Sequence, residues 1–367
     1  MDINVTNKKS YKTHIECLRI IAAFFVIFNH TGAFSYFMTF DTSSIKYWFF
    51  LTLSVVCKIS VPLFFMISGA LLLKKYDESP KILIKRIFRI ICALTIFSFL
   101  SYLQQINLGN ETFNIKRFFT IMIESDWLNV FWYLYAFIAY LITLPFMRIL
   151  AKHMNNKHYL YLVILQLSFT GIIPIALYLL YQGNHNINPN FSISWILGHY
   201  PIYPLIGHYL ENRLDIKKVH TKNILLLWLS NIFCIGLICY VTYFNNLQTG
   251  AFPQTFLMSL ILINCITIYI TFKKIWSNYS TGHIGNIINS VGKCTFGIYL
   301  LHGLILRAPN ISIVYPILRK YVFNHIALTS FTIDILRCIE IMFIGYLVTY
   351  ILKKIPLLNS KCSIAST

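Results

Sequence analysis

Apolar stretches of about 20 residues recur along the whole of this chain, and no other feature limits its fold as strongly. A segment of that length can cross a bilayer as a helix, because a helix satisfies its backbone polar groups internally. Ten such segments are read, at roughly 15–36, 47–73, 88–107, 128–151, 159–182, 193–210, 223–244, 253–272, 292–309 and 331–352. Composition agrees, since 57% of the 367 residues are apolar and 12% are charged. A soluble domain carries about twice that charged fraction. An ordinary water-soluble enzyme, a disordered chain and a small disulfide scaffold are excluded. The sequence predicts an all-α fold, a polytopic membrane helix bundle of about ten transmembrane helices. Its membrane domain is expected over 15–352, between tails at 1–14 and 353–367. The second segment is long enough to tilt, and the sixth is broken by Pro201 and Pro204.

Thirty-one Lys and Arg against 12 Asp and Glu give a formal charge of +19. In a soluble protein such an excess would suggest nucleic acid, but no basic module stands apart from the apolar runs. Lys and Arg instead gather in alternate loops: Lys8, Lys9 and Lys12; Lys74 to Arg89; Arg148 to Lys157; Arg213 to Lys222; Lys273 and Lys274; Lys353, Lys354 and Lys361. The opposite loops hold Lys46, Lys116, Arg117, Arg319 and Lys320. Cytoplasmic loops collect positive charge, so both termini are expected in the cytoplasm, with no nucleic-acid partner. Met1 to His14 is polar and basic and has no signal-peptide core, so the first apolar run is expected to remain as a span. The nine Cys show no paired spacing, and neither a disulfide framework nor a metal site is expected.

Ionisable groups at membrane depth are costly and call for a function or a partner. The first span carries Glu16, Arg19 and His30. Eleven residues of helix make about three turns and ~16 Å of rise, so Arg19, Ala23, Val26 and His30 share a stripe. Glu16 lies three residues before Arg19 and can neutralise it. Taken singly, Arg19 could be a snorkelling anchor and His30 a packed interhelical donor. Their alignment favours a path from the cytoplasm to a buried base. The run Val61 to Ala70 closes the second span; Pro62 invites a kink there, while Ser68 and Gly69 permit close helix approach. Lys81, Lys85, Arg86 and Arg89 follow, suited either to anchoring or to holding phosphates in bidentate fashion. Weaker candidates are Lys58, the spaced Asp334, Arg337 and Glu340 (read as a structural cluster), His199 and His208. Trp127, Trp132 and Tyr133 fit an interfacial aromatic belt.

Arg19 with His30, the Phe64-Phe65-Met66-Ile67-Ser68-Gly69 run, Arg86-x-x-Arg89, Trp132-Tyr133-Leu134 and the stretch from Thr295 to His302 occur in that order. Together they resemble acyltransferase family 3, bacterial ten-span membrane acyltransferases that O-acetylate cell-surface or secreted polysaccharides. Ala70 departs from the bulkier apolar residue common at its position, and no esterase-like domain is expected after the last span. The resemblance implies acetyl-CoA or another acyl-CoA as cytoplasmic donor, no metal, and a hydroxyl of a surface glycan or lipid-linked sugar as acceptor. By position it makes His30 and Arg19 the catalytic pair and Arg86 and Arg89 the donor clamp, with Lys85 and Ser68 beside it. Trp132, Tyr299 and His302 would then face the acceptor. Self-association is compatible with such a bundle. A transporter or flippase for a glycan or lipid-linked sugar would also explain ten spans and Pro-broken helices. A sensor or scaffold gives no reason for the aligned Arg19 and His30.

Overall fold

The computed structural model describes residues 12–125, 130–181, 201–249, 258–277, 282–308 and 327–354. Trp127, His199, the first eight residues of the sixth predicted segment and most of both tails lie outside these residues. All described elements are helical, with no strand among them. The helices are α1 (Thr13–His30), α2 (Ile45–Cys57), α3 (Ser60–Leu72), α4 (Pro80–Asn107), α5 (Ile115–Glu124), α6 (Trp132–His153) and α7 (Asn156–Leu167). They continue with α8 (Ile173–Tyr181), α9 (Ile202–Asn212), α10 (Thr221–Thr249), α11 (Ile261–Ser277), α12 (His283–Gly292), α13 (Thr295–Leu306) and α14 (Ala327–Lys354).

Six helical stretches among the described residues are long and apolar enough to cross a membrane: 13–39, 45–72, 132–153, 156–181, 221–247 and 331–354. The other expected segments coincide with α4, whose first turns are basic, and with α9, α11 and α13, which are 11, 17 and 12 residues long. The second span parts at Lys58 and Ile59, between α2 and α3. The reason lies four residues on. Pro62 has no N–H to offer the carbonyl of Lys58, and its ring would collide with that carbonyl in a continuous helix. Pro62 therefore sits in the first turn of α3, where no intrahelical donor is required. Asn29 covers the break by donating Nδ2–H to the carbonyl of Cys57 at 3.1 Å.

Small residues let α3 and α9 meet backbone to backbone. A Cβ on Gly69 would lie 1.9 Å from the Pro204 carbonyl oxygen, and one on Gly207 would lie 2.0 Å from that of Met66. Neither obstacle is a flexible side chain, so Gly69→Ala or Gly207→Ala must push the helices apart. Overpacked cores lose about 1–3 kcal/mol, and each variant is expected to reach at least that range. A lower thermal midpoint in detergent checks this; an unchanged midpoint would mean the helices separate freely.

The first and last helices share one end of the bundle. Gly292 packs against Glu16, and the Lys353 ammonium donates to the Lys293 carbonyl at 2.6 Å. At the same end Arg148 donates to the Leu72 carbonyl, and Lys273 to those of Leu210, Glu211 and Leu214. At the other end lie His30 and a 3-10 turn over Ala33–Thr39, entered through Gly32 at φ 85°. There Asp334 accepts from the Tyr36 hydroxyl, and Arg337 donates to the Leu306 carbonyl at 2.5 Å. Asp334 and Arg337 thus tie α14 to the turn after α1 and to the end of α13.

Candidate active site

Helical periodicity builds the walls of a cavity of about 410 Å³. From α4 come Ile82, Lys85, Arg86, Arg89 and Ile90, and from α3 come Phe64, Ile67, Ser68, Leu71 and Leu72. Both sets follow the i, i+3, i+4, i+7, i+8 spacing of a single helix face. Helix α6 adds Tyr133 and Phe137, one turn apart, and α1 adds Arg19. The turn between α12 and α13 supplies Lys293, and α13 supplies Phe296 and Tyr299. The cavity runs from Ile82, 50% exposed, to Tyr299, 4% exposed. Cations therefore line the outer part, and aromatic rings line much of the inner part.

Charge in the outer part is organised around two carboxylates. Arg19 donates from Nη1 to Glu16 at 3.1 and 3.3 Å, the pairing that their i, i+3 spacing predicts. Arg86 holds Glu78 with both nitrogens of its fork, at 2.9 and 3.0 Å, and Arg148 holds the same carboxylate at 2.6 Å. The hydrogen bond from Arg86 is the main cause holding the Glu78 carboxyl down to about 2, with Arg148 adding to it. A carboxylate with a depressed folded pKa contributes stability that is complete above the ordinary glutamate range and is lost as pH falls. Acid titration of the folded protein is thus expected to weaken this tie between about pH 4.5 and 2. Glu78→Gln should remove that part of the acid dependence of the thermal midpoint. An identical acid limb in the variant would show that Glu78 plays no part in it.

The nine sequence-predicted site residues divide into three groups. Arg19, Ser68, Lys85, Arg86, Arg89 and Tyr299 all line the cavity. His30 and His302 do not. They meet each other one layer deeper, with ring centroids 5.2 Å apart and a tilt of 45°. Trp132 packs half-buried at the edge of the main core, and its neighbour Tyr133 turns toward the cavity instead. Between Arg19 and His30 the shared stripe is filled, with Ala23 and Val26 exposed by 1% and 5%. The connection from cavity to imidazole pair therefore runs through Tyr299. Its hydroxyl donates to the Val130 carbonyl at 2.8 Å, and its ring meets the edge of Tyr133 at 5.5 Å and His302 at 5.3 Å.

Sequence reasoning missed Tyr133, Lys293, Glu78 and Arg148. Tyr133 has a local signal, because it and Phe137 recur at one turn on α6. Lys293 has none, being a single cation in a turn between two helices. His208 lies apart from the cavity, bonded to Tyr76 at 3.3 Å and Tyr159 at 3.1 Å.

Comparison with known proteins adds one match. A family model described as an acyltransferase domain covers residues 13–354, from the first residue of α1 to the last of α14. No curated protein and no solved structure matches the chain significantly. A match over nearly the entire chain, on a bundle with several membrane-length helices, places this protein in acyltransferase family 3, the membrane acyltransferases.

Proposed function

We propose that this protein moves an acyl group, acetyl in the simplest case, from cytoplasmic acyl-CoA to a hydroxyl of a cell-surface polysaccharide or its lipid-linked precursor. Its setting would be the cytoplasmic membrane of a bacterium, with both termini and the basic end of the bundle in the cytoplasm. One observation carries the proposal: a cavity edged by Arg19, Lys85, Arg86, Arg89 and Lys293 narrows to aromatic rings that back onto paired imidazoles. Guanidinium forks and ammonium groups suit the phosphates of coenzyme A. The face of α3 that includes Ser68 would guide the pantetheine arm inward, with Trp132 and Tyr299 toward the acceptor.

A thioester is already activated, so the protein must align donor and hydroxyl and accept one proton. His30 is the base. It takes the hydroxyl proton as the oxygen bonds to the carbonyl carbon. It returns that proton to sulfur as the carbon–sulfur bond breaks. Arg19 lies ~16 Å along α1 from His30, by helix rise. That is too far to reach a carbonyl held at His30, so Arg19 serves the donor rather than the developing charge. Arg19→Lys keeps the charge but loses the fork, and it is expected to raise the KM for acetyl-CoA; full retention would mean charge alone suffices.

Mass spectrometry of surface glycans from cells with and without the protein tests the proposal. An acetyl increment that requires the protein is the expected result. Glycans of equal mass, with the protein present in the membrane, would overturn it.

A further inference from the structure

His302 lies on α13, three residues after Tyr299, and is fully buried at 0% exposure. Its Nδ1 is bonded to the backbone carbonyl of Tyr299. A carbonyl can only accept, so the proton of that bond sits on Nδ1. In a neutral ring the other nitrogen, Nε2, is then a bare lone pair. That Nε2 is buried and has no hydrogen-bond partner among the described residues. Buried acceptors are nearly always matched, so an unmatched one asks for a donor that turns toward it during function. The imidazole of His30, the last residue of α1, lies beside that of His302, with ring centroids 5.2 Å apart.

The surroundings hold His302 in place. Gly303 packs on the Val130 side chain, where a Cβ would lie 3.1 Å from Cγ1, and Val130 also takes the Tyr299 hydroxyl. At the end of the same helix, Arg337 secures the Leu306 carbonyl. The position of the lone pair is therefore set by packing on several sides.

We propose that His302 is the positioning residue for His30, its Nε2 accepting the N–H of one His30 nitrogen so that the other is left unprotonated and turned to the acceptor hydroxyl. This rests on His30 being the base. Neutral His30 carries one N–H, held by His302. Its free nitrogen takes the hydroxyl proton as the new carbon–oxygen bond forms. The resulting imidazolium has two N–H groups, one still on His302. The second proton passes to the departing sulfur, and His30 is neutral again. His302 neither gains nor loses a proton. The role is that of the orienting carboxylate in a hydrolase triad. A neutral imidazole fits a buried site better than a carboxylate, which would itself have to be desolvated.

The test compares wild type, His30→Ala, His302→Gln and His302→Asn. Membranes containing each are given labelled acetyl-CoA, and transfer to the glycans they hold is followed. A Gln side-chain carbonyl can reach the place of Nε2, whereas Asn ends near Nδ1. Misplaced catalytic groups cost on the order of 100-fold, so His302→Asn should lose about 100-fold in Vmax at unchanged KM, and His302→Gln should recover to within about 10-fold of wild type. Full activity in both folded His302 variants, a folded Gln variant no better than Asn, or a change in KM alone would overturn the role. His30→Ala separates this from the broader reading: activity surviving there removes the base itself. An inactive His30→Ala beside active His302 variants removes only the positioning. If the buried variants do not fold, the wild-type protein decides by nitrogen-15 spectroscopy of its histidines. The Nδ1–H tautomer of His302 is expected, and a proton on its Nε2 would overturn the proposal.

Discussion

Replacing His30 with alanine is expected to lower acyl transfer by about 10⁴-fold, the upper end of what a general base contributes. The upper end is expected because water has little access to stand in for the base. His30 is half-buried at the end of α1, beside a fully buried His302 and beyond the aromatic floor of the cavity. The affinity for acetyl-CoA should be unchanged, since His30 is not part of the cavity wall. Release of free coenzyme A by purified protein gives the rate, and size-exclusion profiles in detergent report folding. Normal transfer in a folded His30→Ala variant would remove the imidazole from the chemistry.

Loss of the donor clamp should show the opposite kinetic pattern. A hydrogen bond between charged groups contributes about 1.5–3 kcal/mol, so Arg89→Ala is expected to raise the KM for acetyl-CoA about 10- to 100-fold with little change in turnover. Arg86→Ala should raise KM as well and also lower the thermal midpoint, because Arg86 holds the Glu78 carboxylate that Arg148 shares. Unchanged coenzyme A affinity by calorimetry in both variants would return the two arginines to membrane anchoring.

Much of the outer site was legible in the sequence because local periodicity reports it. Lys85, Arg86 and Arg89 share a face once α4 is helical, and Arg19 meets Glu16 by spacing alone. The same rule applied to the run Phe64 to Leu72 would have placed Phe64 and Ser68 on the cavity and Phe65 and Met66 in the core. On α6 the same rule favours Tyr133 over Trp132, a choice that composition near a membrane interface does not make. The pairing of His30 with His302 was beyond reach, since it depends on where α13 packs against α1. The break in the second span was half-readable. Pro62 announces a fault, but the fault falls at its carbonyl partner four residues earlier. Span counting by hydropathy reads about ten crossings, of which six coincide with helical stretches of full membrane length among the described residues.

Sidedness and chemistry are tested together in sealed inside-out membrane vesicles supplied with acetyl-labelled coenzyme A on the outside. The expected result is label on the enclosed glycan, matched by free coenzyme A outside, and lost in vesicles bearing His30→Ala. Intact acetyl-CoA, with unlabelled glycan crossing the membrane whenever the protein is present, would contradict acyl transfer and leave a transporter in its place.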